Sequence, residues 1–259
     1  KQKGVFGVKI DPGALKIEGA EDLIALIRVL ERGMNSLAIL RKEDEKWFRE
    51  LAEIITIEND VLYPERVDIT GKYERIIFAT RHKSESGRRS ITVHAPGNYG
   101  RAEYGGNPKE LAYADAEMML ALLKEVRKGE YNASYEVTHH GPTDFVVPIS
   151  FIEIGGSERE WKDKKMGEAV ANSIASAIKG LKNVKNVAIG FGGGHYAPRF
   201  THFAVKKNVA FGHLMPLYAI NLLDKTIFEE MVKKTFPEPK YVFVDKRRMS
   251  EEKLSEIKK

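Results

Sequence analysis

The chain has 259 residues, no cysteine, 42 Lys and Arg against 37 Asp and Glu, a formal net charge of +5 and a pI near 9.1. The missing cysteine excludes disulfides, thiolate zinc sites and cysteine nucleophiles, so a metal would have to take His, Asp, Glu or carbonyl ligands. The length allows a large core without covalent staples, the basic balance suits a polyanion such as nucleic acid, and no apolar run is long enough to span a bilayer. A soluble cytoplasmic protein without a signal peptide is expected, and a charged fraction of 31% rich in Lys, Glu and Arg points to a thermophile.

Val5–Ile10 reads as a first short strand. Leu23, Ile24, Ile27 and Leu30 have helical spacing and predict a helix over Glu18–Arg32, stopped by Gly33. Ser36–Leu40 reads as a strand, Glu43–Ile55 as a helix, and Thr56–Ile69 as strand and turn around Pro64. From Tyr73 the texture changes. Arg75–Thr80 and Ser90–Val93 are β-rich, and Tyr104–Pro108 is a loop in which Asn107 would cap a helix running to about Lys128. Ser134–Thr138 and Val146–Ile154 read as strands. Ser157 with Glu160 predicts a capping box for one helix to about Lys179, closed by Gly180. The central strand Val184–Phe191 follows, then Arg199–Phe211 as a returning strand, helices over Met215–Asp224 and Thr226–Phe236, a last strand Tyr241–Val244 and a last helix Ser250–Lys259. Strands alternating with helices predict an α/β fold with a largely parallel or mixed sheet flanked by helices. One domain over 1–259 is expected, with a motif-bearing region over 73–259 behind an N-terminal region over 1–72.

All seven histidines lie between residues 82 and 213. Four places share one design, an apolar strand running into a polar turn that holds histidine: FAT-RHKS, TV-HAPGN, EVT-HHGPT and GFGGG-HYAPR. If these strands are parallel neighbours, their turns meet in one crevice at the carboxyl ends. His202 and His213 lack this setting and read as structural. His139, His140 and His195 are candidate bases or ligands, with Glu136 to fix a tautomer and Thr143 to offer a hydroxyl. On a regular strand His139 and His140 point to opposite faces, and Glu136 has period-two parity with His140. Arg81, His82, Lys83, His94, Asn98, Gly193, Gly194, Tyr196 and Arg199 are candidate substrate contacts, and the Gly192–Gly194 N–H groups could face an oxyanion. No spacing picks out a set of metal ligands. No GxSxG elbow, HExxH helix or GxxxxGK[ST] loop occurs, which removes the α/β-hydrolase triad, the zincins and the P-loop enzymes. What remains suits hydrolysis of an anionic substrate by a bound water with a histidine base or a metal.

These motifs resemble the archaeal and plant type of D-aminoacyl-tRNA deacylase. The resemblance lies in ATRHKS at Ala79–Ser84, TVHAPGN at Thr92–Asn98, EVTHHGPT at Glu136–Thr143, FIEIG then SEREW within Phe151–Trp161, and GGGHYAPR at Gly192–Arg199. It covers about Tyr73 to the C-terminus and is weaker before it. It implies hydrolysis of the ester joining a D-amino acid to the 3′ end of tRNA, a zinc requirement, and a fold similar to peptidyl-tRNA hydrolases. No obligate protein partner is evident, and a monomer is the default. The alternatives are a non-catalytic tRNA-binding module, and a peptidyl-tRNA hydrolase or nucleoside phosphorylase of related fold.

Overall fold

In a computed structural model the described residues are 3–8, 53–57, 74–83 and 87–257. The helix expected over 18–32, the strand over 36–40 and most of the segment 43–69 lie outside them. In chain order the elements are β1 (Lys3–Val8), β2 (Glu53–Ile57), β3 (Arg75–Lys83), β4 (Ser90–His94), β5 (Ala114–Asp115), α1 (Ala116–Val126), β6 (Ala133–Tyr135), β7 (Ile149–Gly156), α2 (Glu158–Trp161) and α3 (Lys164–Lys179). Then follow β8 (Asn186–Gly192), α4 (Pro198–Lys207), β9 (Val209–Met215), a 3₁₀ turn (Leu217–Leu222), α5 (Lys225–Lys233), β10 (Thr235–Phe236), β11 (Tyr241–Asp245) and α6 (Glu251–Ile257).

The fold is α/β with two mixed or parallel sheets. The larger sheet is ordered β10-β5-β7-β3-β1-β2, with β4 paired to β7 and β6 to β4; the smaller is ordered β11-β8-β9. β7, with every residue buried, is the strand around which the first sheet forms. It runs parallel to β3 along its whole length and antiparallel to β4. Burial on both faces explains why its sequence is nearly continuous in apolar residues. The helices α1 and α3 cover this sheet, with Met118, Leu122, Ile174 and Ile178 against Ile77, Val93 and Ile152. A second core gathers Ile189, Phe191, Met215, Ile227 and Met231. Among the described residues no helix is long and apolar enough to cross a membrane.

Several elements differ from the sequence expectation. Glu53–Ile55 belong to β2, paired antiparallel with β1, and not to a helix; EIITI is rich in β-branched residues. The helix expected from Asn107 begins at Ala116 instead. Residues 107–113 are held as a loop: Asn98 donates its N–H to Glu110 O and its Nδ2 to Gly105 O, and Asp115 takes the capping position by accepting from Met118 N. The Ser157/Glu160 capping box is present, but its helix ends at Trp161, because Asp163 caps a second start by accepting from Lys165 N and Met166 N. Arg199–Phe211 is not one strand. Pro198 opens α4, whose Phe200 and Ala204 are buried four residues apart, and Asn208 in the left-handed region ends it before β9. The helix expected over Thr226–Phe236 stops at Lys233, and Thr235–Phe236 pair with β5. β3 continues through Lys83, so Arg81, His82 and Lys83 lie on a strand rather than in a turn.

Candidate active site

The site begins with a register. Thr80 on β3 pairs with Glu153 on β7, and Glu153 pairs with Thr92 on β4. Residues two apart share a face, so Thr80, His82, Glu153, Thr92 and His94 line the same side of the sheet. Thr80 donates its hydroxyl to Glu153 Oε1. His82 Nδ1 lies 3.5 Å and His94 Nε2 3.6 Å from Glu153 Oε2. Burial acts to raise the Glu153 pKa, but the two imidazoles outweigh it and hold the carboxyl well below its usual range. Burial likewise acts to lower His82 and His94, and the carboxylate outweighs it in both, so each is raised.

A second carboxylate faces this group. After β6 the chain leaves the first sheet: Glu136 N donates to Val93 O, Val137 N to His195 O, and Thr138 N to Leu214 O of the second sheet. Glu136 is thereby set between the sheets, 1% exposed. His82 Nε2 is 3.7 Å from its Oε1, and His139 Nε2 and His195 Nε2 are each 3.5 Å from its Oε2. None of these reaches hydrogen-bond length, and both carboxylate oxygens lack a hydrogen-bond partner.

Strand parity would have separated His139 from His140. It does not, because the strand ends at Tyr135 and His140 sits at φ 47°. The two rings lie 4.4 Å apart, and both approach His94, at 4.5 and 4.8 Å between centroids. Phe151 forms the floor, 5.0 Å from the His94 ring and 5.1 Å from His140. Glu136 therefore meets His139 and not His140, contrary to the parity expectation. His139 Nδ1 donates to Val137 O and His140 Nδ1 to Gly141 O, at 2.8 and 2.6 Å. Burial, with neighbouring imidazoles, keeps His139 well below its usual pKa; burial, with His94, brings His140 to about 4. Both are neutral near pH 7, so His139 Nε2 presents a lone pair to the Glu136 carboxylate. Two acceptors facing each other, one of them a buried carboxylate without a donor, call for a cation between them. His82, Glu136, His139 and His195 place their ligand atoms within 4.8 Å of one another, as do His94, His139 and His140. These groups could hold a metal ion.

The other predicted residues divide. Tyr196 borders the cluster, with its ring 5.1 Å from His195 and 6.2 Å from His82. Arg81 stacks over Trp161, 4.9 Å from the ring, and Lys83 is exposed at the end of β3. Thr143 is buried and donates to Glu110 Oε2 while accepting from Asn107 N; with Asn98 it ties down the 98–110 loop. Gly193 and Gly194 lead into His195, and Arg199 contacts Asp245 at 3.4 Å. His213 is the core histidine that the sequence suggested. Glu153 was missed, although a single charge inside the apolar run FIEIG was a legible signal. The glycine turn is close to its limit of space: Gly192 has φ +94°, and a Cβ there would strike the Asp245 carbonyl oxygen. Gly192→Ala is expected to cost about 1–3 kcal/mol of stability, read by denaturant unfolding.

A family model described as D-aminoacyl-tRNA deacylase matches residues 69–259. The chain belongs to the D-aminoacyl-tRNA deacylase family. A family member from Thermococcus kodakarensis is 39% identical over 221 residues, 79% of this chain and 81% of its own. Another, from Pyrococcus furiosus, is 35% identical over 254 residues, 94% of this chain and 90% of its own. A crystal structure described as a conserved protein of unknown function superposes with a TM-score of 0.74 at 33% identity, covering 79% of this chain and 76% of the other. The deacylase match begins near the residue where the texture of the sequence changes, and it contains every histidine of the cluster.

Proposed function

We propose that this chain hydrolyses the ester of D-aminoacyl-tRNA, releasing the D-amino acid and tRNA, as a soluble cytoplasmic enzyme with a zinc ion at the His82, Glu136, His139 and His195 group. Family membership supports the reaction. One observation supports the metal: both Glu136 oxygens are buried without a hydrogen-bond partner and face three imidazole nitrogens. The second ring nitrogen of His139 is donated to a carbonyl, as metal-binding imidazoles require, and the net charge of +5 suits a tRNA partner. A bound zinc ion supplies Lewis-acid polarisation of the ester carbonyl.

The chain's own groups account for the remaining steps. Glu153 and Thr80 hold His82 so that its Nε2 points to Glu136. Neutral His140 donates Nδ1–H to Gly141 O, which leaves Nε2 as an acceptor that can orient the attacking water. His195 and Tyr196 border the entrance, and the bare turn Gly193–Gly194 admits the ester close to the backbone.

The test compares D-Tyr-tRNA and L-Tyr-tRNA, with and without chelator. Loss of the D-ester alone, abolished by chelation and restored by zinc, is the expected result; His139→Ala and His195→Ala abolish it also. Cleavage unaffected by chelation would remove the metal and keep the reaction, and cleavage of neither ester would remove the reaction.

A further inference from the structure

β8 and β11 are parallel, and their register ends with Asp245 opposite Gly192. In such sheets ligands meet the carboxyl ends of the strands. The basic run Lys246-Arg247-Arg248 therefore leaves β11 beside the glycine turn that carries His195, and all three residues are exposed. Asp245 is buried at this point, with its side chain 3% exposed. Its carboxylate accepts from Arg247 N at 3.2 Å, Nε at 3.1 Å and Nη2 at 2.8 Å, and from Arg199 Nη1 at 3.4 Å. A Cβ on Gly193 would lie 3.6 Å from Asp245 Oδ2, so the carboxylate packs against the turn itself.

Two guanidiniums thus share one buried anion. Their side chains are 51% and 58% exposed, and the spot keeps one excess positive charge. Each guanidinium has five N–H donors, and Asp245 uses only some of them. Anchoring removes much of the freedom an arginine would lose on binding, and the fork geometry matches phosphate oxygens. We propose that Arg199 and Arg247, clamped on Asp245, form a phosphodiester-binding fork that grips the tRNA backbone next to the terminal nucleoside. The proposal rests on the deacylase reading, and it assigns Arg247 and Asp245 a role in substrate binding.

The experiment measures kcat/KM for D-Tyr-tRNA and for D-Tyr-adenosine, which carries the same ester and no phosphate. It also measures the salt dependence of binding to uncharged tRNA. In Arg247→Gln and Arg199→Gln the ratio of the two kcat/KM values is expected to fall about tenfold, through KM. The slope of log affinity against log salt is expected to become shallower by about 0.7 for each arginine. Asp245→Asn separates position from bulk charge. It removes a negative charge, so general attraction would tighten tRNA binding, whereas loss of the clamp weakens it. Unchanged ratio and slope in both arginine variants, or tighter binding by Asp245→Asn, would overturn the fork. If the parent cleaves neither ester, the deacylase reading fails, and the salt slope still decides whether the fork binds RNA.

Discussion

Glu136→Gln lowers the rate of D-aminoacyl-tRNA hydrolysis by about 10²–10⁴-fold, the range typical for loss of an essential proton-handling or charge-bearing group. The same change leaves the metal-free protein at least as stable as the parent. The two effects have opposite signs because Glu136 is a buried carboxylate whose oxygens have no hydrogen-bond partner. Its two oxygens lack hydrogen-bond donors in the metal-free fold, whereas a Gln amide N–H can donate to the His139 Nε2 lone pair that faces it. Gln keeps the shape, removes the charge and no longer draws His82, His139 and His195 to one point. Three measurements on one preparation check this: single-turnover hydrolysis, zinc content after dialysis, and thermal unfolding in chelator. A variant that keeps its zinc and a rate within a few-fold of the parent would show that Glu136 is only a packing residue.

Acid destabilises the metal-free protein between pH 6.5 and about 4, and His213 accounts for roughly 3 kcal/mol of the loss. His213 is fully buried, and burial lowers its pKa from 6.5 to about 4. Its hydrogen bonds fix the neutral form. Nε2 donates to Ala112 O at 2.9 Å, and Nδ1 accepts at 3.1 Å from Thr138, whose own oxygen accepts from Leu214 N. The unfolded chain takes up a proton below pH 6.5, and the native chain refuses it until about pH 4. In that window the unfolded state binds more protons, so stability falls as pH falls, by about 1.4 kcal/mol per pH unit for one group. His213→Gln removes that share of the slope. Denaturant unfolding of both proteins from pH 6.5 to 4.5 reads the difference, and parallel profiles would show that His213 titrates normally in the native state.

Much of the site was legible in the chain before folding. The histidines of the four motifs, Glu136 within EVTHHGPT, the capping box at Ser157 and the α/β alternation all follow from local rules: residue chemistry, two- and 3.6-residue periods, and caps whose partners lie three residues away. The resemblance to the deacylases is carried by the same local motifs.

Other features were decided between residues far apart in sequence. Strand direction is not written in a strand, so four similar turns suggested four parallel neighbours; β4 instead runs antiparallel to β7, and β8 lies in another sheet. Only that arrangement aligns Thr80, Glu153 and Thr92 across three strands and sets His82 and His94 on the same face. The left-handed turn at His140, which overrides strand parity, is held by Gly97 N donating to His140 O and by Gly141 N donating to Tyr104 O. One helix start was misplaced where Asn107 N donates to Thr143 Oγ1, and one helix was split in two where Asp163 caps a second start. Asp245 is an ordinary strand-end residue by sequence; it holds Arg247 by a local contact two residues on, and it reaches Arg199 only because β11 docks beside β8. The sequence by itself determined which groups are available: imidazoles, two carboxylates in apolar surroundings, and glycines where backbones must approach closely. The tertiary structure decided which of them meet, because a register shift of one residue turns every side chain of a strand to the other face.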